Sequence, residues 1–129
     1  MSEKFTVEII SPDKTILKQE ANEVTLPSYE GQMGILKDHI PLITFLRPGF
    51  VIIKSENVKK FFVEEGTVEF VNNNLLILTS TAKEISNFNK KSIGSLISEA
   101  ERKLNDQKIS DKERYLLAYK LESLKSINR

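Results

Sequence analysis

Phe5, Val7 and Ile9 alternate with Thr6 and Glu8, the two-residue period of a strand with one buried and one solvated face. Ser11-Pro12-Asp13-Lys14 follows as a turn, because proline fixes φ and an aspartate can bond its own backbone. Ile16-Leu17-Lys18 and Glu23-Val24-Thr25-Leu26 read as short strands, and Pro48-Gly49 suits the two central positions of a type II turn. Phe50-Val51-Ile52-Ile53-Lys54, turned at Ser55-Glu56-Asn57, pairs with Lys60-Phe61-Phe62-Val63-Glu64 as a hairpin. A second hairpin joins Val68-Glu69-Phe70-Val71 to Leu75-Leu76-Ile77-Leu78 through Asn72-Asn73-Asn74, since asparagine tolerates left-handed backbone better than most residues. Strands this short and closely spaced predict an antiparallel sandwich or barrel.

Near residue 86 the apolar period becomes helical. Ile93, Leu96, Ile97, Ala100 and Leu104 form one stripe of a helix, interrupted by Gly94, which costs about 1 kcal/mol relative to alanine. Asn105-Asp106-Gln107-Lys108-Ile109 breaks the pattern. Ser110, followed three residues later by Glu113, is a capping box that opens a second helix. Leu117, Leu121 and Leu124 form its apolar stripe, and Ala118, Leu121 and Lys125 mark one row. The short connection makes the helices antiparallel neighbours. The predicted class is therefore α+β, an N-terminal antiparallel β-sandwich over residues 1–86 and a C-terminal antiparallel two-helix hairpin over 87–129. Helices this short are marginal alone, so the hairpin must lean on the sandwich or on another protein, which makes it a candidate mobile element.

Charge sharpens this division. Residues 1–87 hold nine Lys/Arg and twelve Asp/Glu, whereas residues 88–129 hold ten and six, a net of −3 against +4. A basic tail on an acidic body can rest on that body or dock on an acidic partner. The overall charge of +1 argues against nucleic-acid binding as the main activity. With no cysteine there is no disulfide framework or thiolate chemistry. The apolar runs are far shorter than the roughly 18 residues of a membrane span, so no bilayer insertion is expected. Met1-Ser2-Glu3-Lys4 leads straight into a strand pattern, and the chain is expected to stay in the compartment of its synthesis.

Catalytic chemistry finds little to work with. His39 is the sole histidine, and although Asp38 precedes it, no nucleophile or second base is near in the sequence. Gly31-x-x-Gly34 lacks the Lys-Ser/Thr of a phosphate loop, and one histidine without cysteine makes a transition-metal site unexpected. Glu64 and Glu65, read as strand neighbours, face opposite sides. No catalytic residue, metal or cofactor is expected.

The most distinctive segment runs from Val24 to Gly49. Leu26-Pro27, Glu30-Gly31, Gly34-Ile35-Leu36, His39, Pro41-Leu42, Thr44, Leu46 and Pro48-Gly49 stand in an order that resembles the signature of the epsilon subunit of F-type ATP synthases, called delta in mitochondria. The opening strand and turn, the later hairpins, Thr79-Ser80-Thr81-Ala82 and the helical tail extend the resemblance over the whole chain. One departure is Glu65-Gly66, where the family often has two glycines.

The resemblance implies a non-catalytic rotor subunit whose sandwich joins the gamma subunit to the membrane rotor ring. It assigns ring contact to Glu30, Gly31, Gln32, Met33 and Gly34, expected at the tip of a tight protruding loop in which both glycines occupy positions closed to side chains. Ser11, His39, Pro41 and Leu42 are the expected gamma contacts. It further implies a tail that can extend into the catalytic head and restrain ATP hydrolysis, with Lys90, Lys91, Arg102, Lys103, Lys112, Arg114, Lys120 and Lys125 transiently meeting the alpha and beta subunits. The expected place is peripheral, on the cytoplasmic face of a bacterial inner membrane, or on the stromal side of a thylakoid if the copy is plastid-encoded. A free-standing β-sandwich adaptor explains the fold but not the 24–49 signature.

Some relatives bind ATP through an Ile/Leu-Asp-x-x-Arg-Ala pattern that opens the first helix. Here the stretch reads Phe88-Asn89-Lys90-Lys91-Ser92-Ile93, without the guanidinium that best holds a phosphate. Calorimetric titration with ATP is expected to show weak binding or none, and micromolar affinity would contradict this reading.

Overall fold

The computed structural model describes residues 3–85 and 90–127, the last with Lys90, Ser92 and Ile127 as backbone only. Ten strands are followed by two helices: β1 (Phe5–Ile10), β2 (Thr15–Ala21), β3 (Glu23–Ser28), β4 (Gly31–Leu36), β5 (Leu42–Leu46), β6 (Gly49–Lys54), β7 (Val58–Val63), β8 (Gly66–Val71), β9 (Asn74–Leu78), β10 (Lys83–Glu84), α1 (Lys90–Leu104) and α2 (Asp111–Ile127). The strands form one curled sheet in the order β10-β7-β6-β3-β5-β8-β9-β1-β2, with β4 on the other edge of β3. Neighbours are antiparallel except β1 and β9, which run parallel with Val7 opposite Leu75. The sheet changes layer at β3. Residues Glu23 to Thr25 pair with β6, whereas the link to β5 is the single pair Ser28–Leu46. Beyond that corner, β5, β8, β9, β1 and β2 form the opposing layer, and the result is a β-sandwich.

Alternation fills its core. Phe5, Val7 and Ile9 are buried as predicted, in one cluster with Val68, Phe70, Leu75 and Ile77 of their own layer and Val24, Leu26, Ile35, Val51 and Ile53 of the other. Phe5 meets Phe70 edge to face at 5.5 Å, a geometry aromatic quadrupoles favour. The buried hydroxyls of Ser28 and Thr44 share a hydrogen bond of 3.1 Å, so the corner carries polar atoms without leaving them unpaired.

Both predicted hairpins form, β6 with β7 and β8 with β9. In the second, Asn72 and Asn73 take φ of 50° and 60°, which a two-residue turn matching strand twist requires. Asn74 instead belongs to β9, opposite Val71. Three expectations need correction. Gly49 is not in a type II turn, since it lies outside the positive-φ glycines and opens β6 opposite Val63. Its requirement is proximity: a Cβ there would stand 2.6 Å from Cβ of Pro27. Glu64 and Glu65 lie beyond the end of β7 rather than on a strand, although they do separate, Glu64 toward Lys120 and Glu65 toward Ser80. Strands β4 and β5, both within the signature segment, were not anticipated as strands.

The helices pack antiparallel as expected. Ile93, Ala100 and Leu124 are buried, while Leu96, Ile97, Leu104, Leu117 and Leu121 are half-buried and Ala118 and Lys125 exposed. The Glu113 amide donates to Ser110 Oγ at 3.1 Å and the Ser110 hydroxyl donates to Glu113 Oε1 at 3.2 Å, closing the cap. At the other end of the loop, Arg114 Nη1 donates to the Leu104 carbonyl at 2.8 Å, satisfying an orphan acceptor of α1. The expected boundary at residues 86/87 lies outside the described residues. Gly49→Ala should lower stability by about 1–3 kcal/mol through overpacking against Pro27, read as a lower urea midpoint with unchanged slope.

Candidate functional site

The turn between β3 and β4 is built by short-range bonds. The Tyr29 amide donates to the Phe45 carbonyl at 3.1 Å and the Glu30 amide donates to Ser28 Oγ at 3.0 Å. The chain then reverses through Gly31 at φ 120°, a backbone region that side chains strain and glycine does not. Glu30 projects freely at this tip. The loop is tighter than expected, because Gln32, Met33 and Gly34 have already entered β4. Gln32 faces solvent on the outer side of the sheet, whereas Met33 packs against the core. Gly34 is an ordinary strand residue, with only Glu23 Oε2 at 3.6 Å from a built Cβ. Of the five predicted ring contacts, Glu30 and Gly31 alone form the tip.

A second surface lies on the outer face of β5, β8 and β9. Ile43 and Phe45 point outward from β5 with 74% and 58% of their surface exposed, and Leu78 adds 45%. Register places Phe45 beside Thr67, Thr67 beside Leu78 and Leu78 beside Ile10, a row across the layer in which Thr67 stands between the apolar members, while Ile43 lies beside Glu69. Contiguous exposed apolar patches mark interaction sites more often than isolated residues do. The predicted residues bracket it. Ser11, in a turn closed by its bonds with Lys14, lines a cleft of about 990 Å³ with Ile10, Phe45, Leu78 and Lys112 of α2 at one end of β5. Pro41 and Leu42 line a depression of about 400 Å³ at the other end, with Ile43 and Val71.

His39 is half-buried beside this second depression, its ring edge-on to Phe70 at 6.0 Å and its Nδ1 donating to the Ile40 carbonyl at 2.7 Å. Asp38, at φ 66°, is pinned by reciprocal bonds. Its amide donates to Asn73 Oδ1 at 2.7 Å and its Oδ1 accepts from Asn73 Nδ2 at 3.0 Å. Sequence reasoning missed Ile43, Phe45 and Leu78. The available signal was Leu42-Ile43-Thr44-Phe45-Leu46, nearly apolar on both faces in a strand with only one face to bury.

The basic residues of the tail do not form one free face. Lys91, Arg102, Lys112 and Lys125 are exposed. Lys103 pairs with Glu99 at 3.2 Å one helical turn away, and its hydrogen bond and charge hold the Glu99 carboxyl below the usual range. Arg114 is spent on α1, and Lys120 forms an ion pair with Glu64 of the sandwich. The side chain of Lys90 lies outside the described residues.

Residues 4–85 match the family described as ATP synthase, delta/epsilon chain, β-sandwich domain. The chain belongs to the ATP synthase delta/epsilon family. It is 44% identical over 130 residues to the ATP synthase epsilon chain of Pelagibacter ubique, covering 99% of this chain and all of that one. It is 35% identical to the epsilon chain of a Nostoc species, covering 88% and 85%. Its fold matches a chain in the cryo-electron microscopy structure of the Euglena gracilis mitochondrial ATP synthase with a TM-score of 0.81, at 19% identity and covering 98% and 82%. A chain from the central stalk and c-ring of the Tetrahymena thermophila enzyme matches with 0.66, at 15% identity and covering 99% and 98%.

The two helices follow the matched sandwich in the chain. Among the described residues no helix is long and apolar enough to cross a membrane, and no cluster of His, Asp or Glu could hold a metal ion. Of the six residues set against the family's ATP pattern, Phe88 and Asn89 lie outside the described residues. Ile93, standing where the pattern has alanine, is buried at 3% exposure and serves packing.

Proposed function

We propose that this epsilon-family chain is a rotor subunit that docks the gamma subunit on the open face of β5, β8 and β9 and meets the membrane ring with the Glu30-Gly31 turn. The observation that carries this is the unequal treatment of the two outer faces of the sandwich. The hairpin packs over the β6 side through α2, while Ile43, Phe45 and Leu78 remain uncovered. An exposed face of this apolarity needs a partner, and the central-stalk assembly of the Tetrahymena relative supports choosing gamma. Ser11, Pro41 and Leu42 would form its rim, with His39 behind them as a support.

Torque requires that two interfaces sit on one rigid body. The Tyr29–Phe45 and Ser28–Thr44 bonds tie the ring-facing turn directly to β5, so force at Glu30 reaches the gamma-facing strand within a few covalent and hydrogen bonds. The chain supplies position and stiffness, and the chemistry belongs to other subunits. It would work peripherally on the cytoplasmic face of a bacterial inner membrane, in keeping with its Pelagibacter relative.

Residues 87–129 act in this reading as a regulatory hairpin. Docked, Lys120 is engaged by Glu64 of the sandwich. Released, Lys120 would join Lys91, Arg102, Lys112 and Lys125 as charges available to acidic surfaces of the alpha and beta subunits.

The paired substitution Ile43→Asp with Phe45→Asp should weaken capture by purified gamma at least tenfold, since burying each side chain is worth about 1.5–3 kcal/mol. Undiminished capture would remove this face from the interface. Deleting residues 88–129 should raise ATP hydrolysis by the assembled enzyme, and an unchanged rate would show that the hairpin is not a brake.

A further inference from the structure

Arg47 stands in the connection between β5 and β6, a place with almost no freedom. Its amide donates to the Pro27 carbonyl at 2.9 Å, and the following Pro48-Gly49 packs so closely on Pro27 that no side chain fits at Gly49. From this anchored backbone the guanidinium reaches the hairpin. Its carbon lies 4.0 Å from the ring centre of Tyr119, and Nη1 donates to the Tyr115 hydroxyl at 3.2 Å. Tyr115 and Tyr119 are one turn apart on α2 and meet edge to face at 4.8 Å. Tyr29, from the β3–β4 turn, stacks nearly parallel on Tyr115 at 6.0 Å and 12°. Lys120, next along α2, pairs with Glu64 at the end of β7.

We propose that this cluster is the latch that holds the hairpin on the sandwich, with Arg47 as its pivot. The sandwich side supplies Tyr29, Arg47 and Glu64, and the helix side supplies Tyr115, Tyr119 and Lys120. The chemistry is that of a reversible contact. Tyr29 and Tyr115 are 41% and 37% exposed, so water can replace what release breaks. The planar guanidinium suits the site because it can stack on one ring while donating to another hydroxyl, which an ammonium cannot do in the same geometry. A cation on a partly exposed ring contributes modestly, and the half-buried pair of Lys120 with Glu64 is still open to water. Contacts of this kind can hold a hairpin docked and still let it go. The latch is a property of the isolated chain and stands whether or not the released hairpin inhibits hydrolysis.

The chain lacks cysteine, so Glu56→Cys in the β6–β7 turn and Gln107→Cys in the helical loop can carry a pair of spin labels on the full-length protein. Their distance distribution, measured by pulsed electron resonance, should be narrow in the parent. Arg47→Ala should broaden and lengthen it and speed amide exchange throughout α2 by about tenfold, the scale of one cation–π contact with its hydrogen bond. Arg47→Lys should fall between. Lys120→Glu should also open the hairpin, and Glu64→Lys in the same chain should close it again. Exchange in β1 and β9 reports separately on the sandwich and should not move. If Arg47→Ala and Lys120→Glu both leave the distances and α2 exchange at parental values, these contacts do not hold the hairpin and the proposal is wrong.

Discussion

At Ser28 the sheet passes from one layer into the other through a single pairing with Leu46. Everything that makes the molecule a sandwich rests on this corner. It puts a hydroxyl where the core is closed, and the hydroxyl is satisfied by Thr44. An unpaired polar group there would cost on the order of 1–3 kcal/mol. The same oxygen accepts the Glu30 amide and so shapes the projecting turn. Nearby, Gly49 allows β6 to lie against Pro27, and the Arg47 amide closes on the Pro27 carbonyl. Proline in β3 is tolerable because the ladder is already interrupted at the corner. One compact set of contacts therefore fixes the layers, the turn at Glu30 and the position of Arg47.

The corner also separates two outer faces with different fates. On the β3–β6–β7 side, Phe62 is buried and lies edge-on to Phe50 at 5.7 Å, and α2 packs over β6. Phe62, Ile93, Ala100 and Leu124 are buried yet stand outside the sandwich core. On the other side Ile43 and Phe45 stay largely exposed. Intramolecular packing covers one face and leaves the second open.

Electrostatics tie the hairpin to its posture more loosely than the core ties the strands to each other. The body is acidic and the tail basic, and among the described residues the docked hairpin uses this contrast at Lys120 and Glu64. Lys54 with Glu23 at 3.3 Å and Lys103 with Glu99 are exposed pairs within one part of the molecule, of small value each. Burial of aliphatic side chains secures the sandwich, whereas polar and aromatic contacts of moderate strength position the helices.

Strand alternation in β1 and in the β6–β7 and β8–β9 hairpins, the capping box at Ser110 and the stripe of α1 were all legible along the chain, because each depends on residues close in sequence. So was the family, because the order of small and apolar residues from Leu26 to Gly49 is itself specific. Turn geometry was less so. Pro48-Gly49 has the composition of a type II turn, yet Gly49 is demanded by Pro27, a residue distant in sequence, and Gly34 has no comparable constraint. The open face of β5 was legible only in part, since Ser11 and Pro41 lie near its ends while the exposure of Ile43 and Phe45 depends on what packs above β5. The meeting of Arg47 with Tyr115 and Tyr119 had no sequence signal. Local periodicity set which elements form, because a strand or helix is decided by near neighbours. Only the tertiary structure decided which faces stay open and which charges are engaged, because those are relations between segments that the chain order keeps apart.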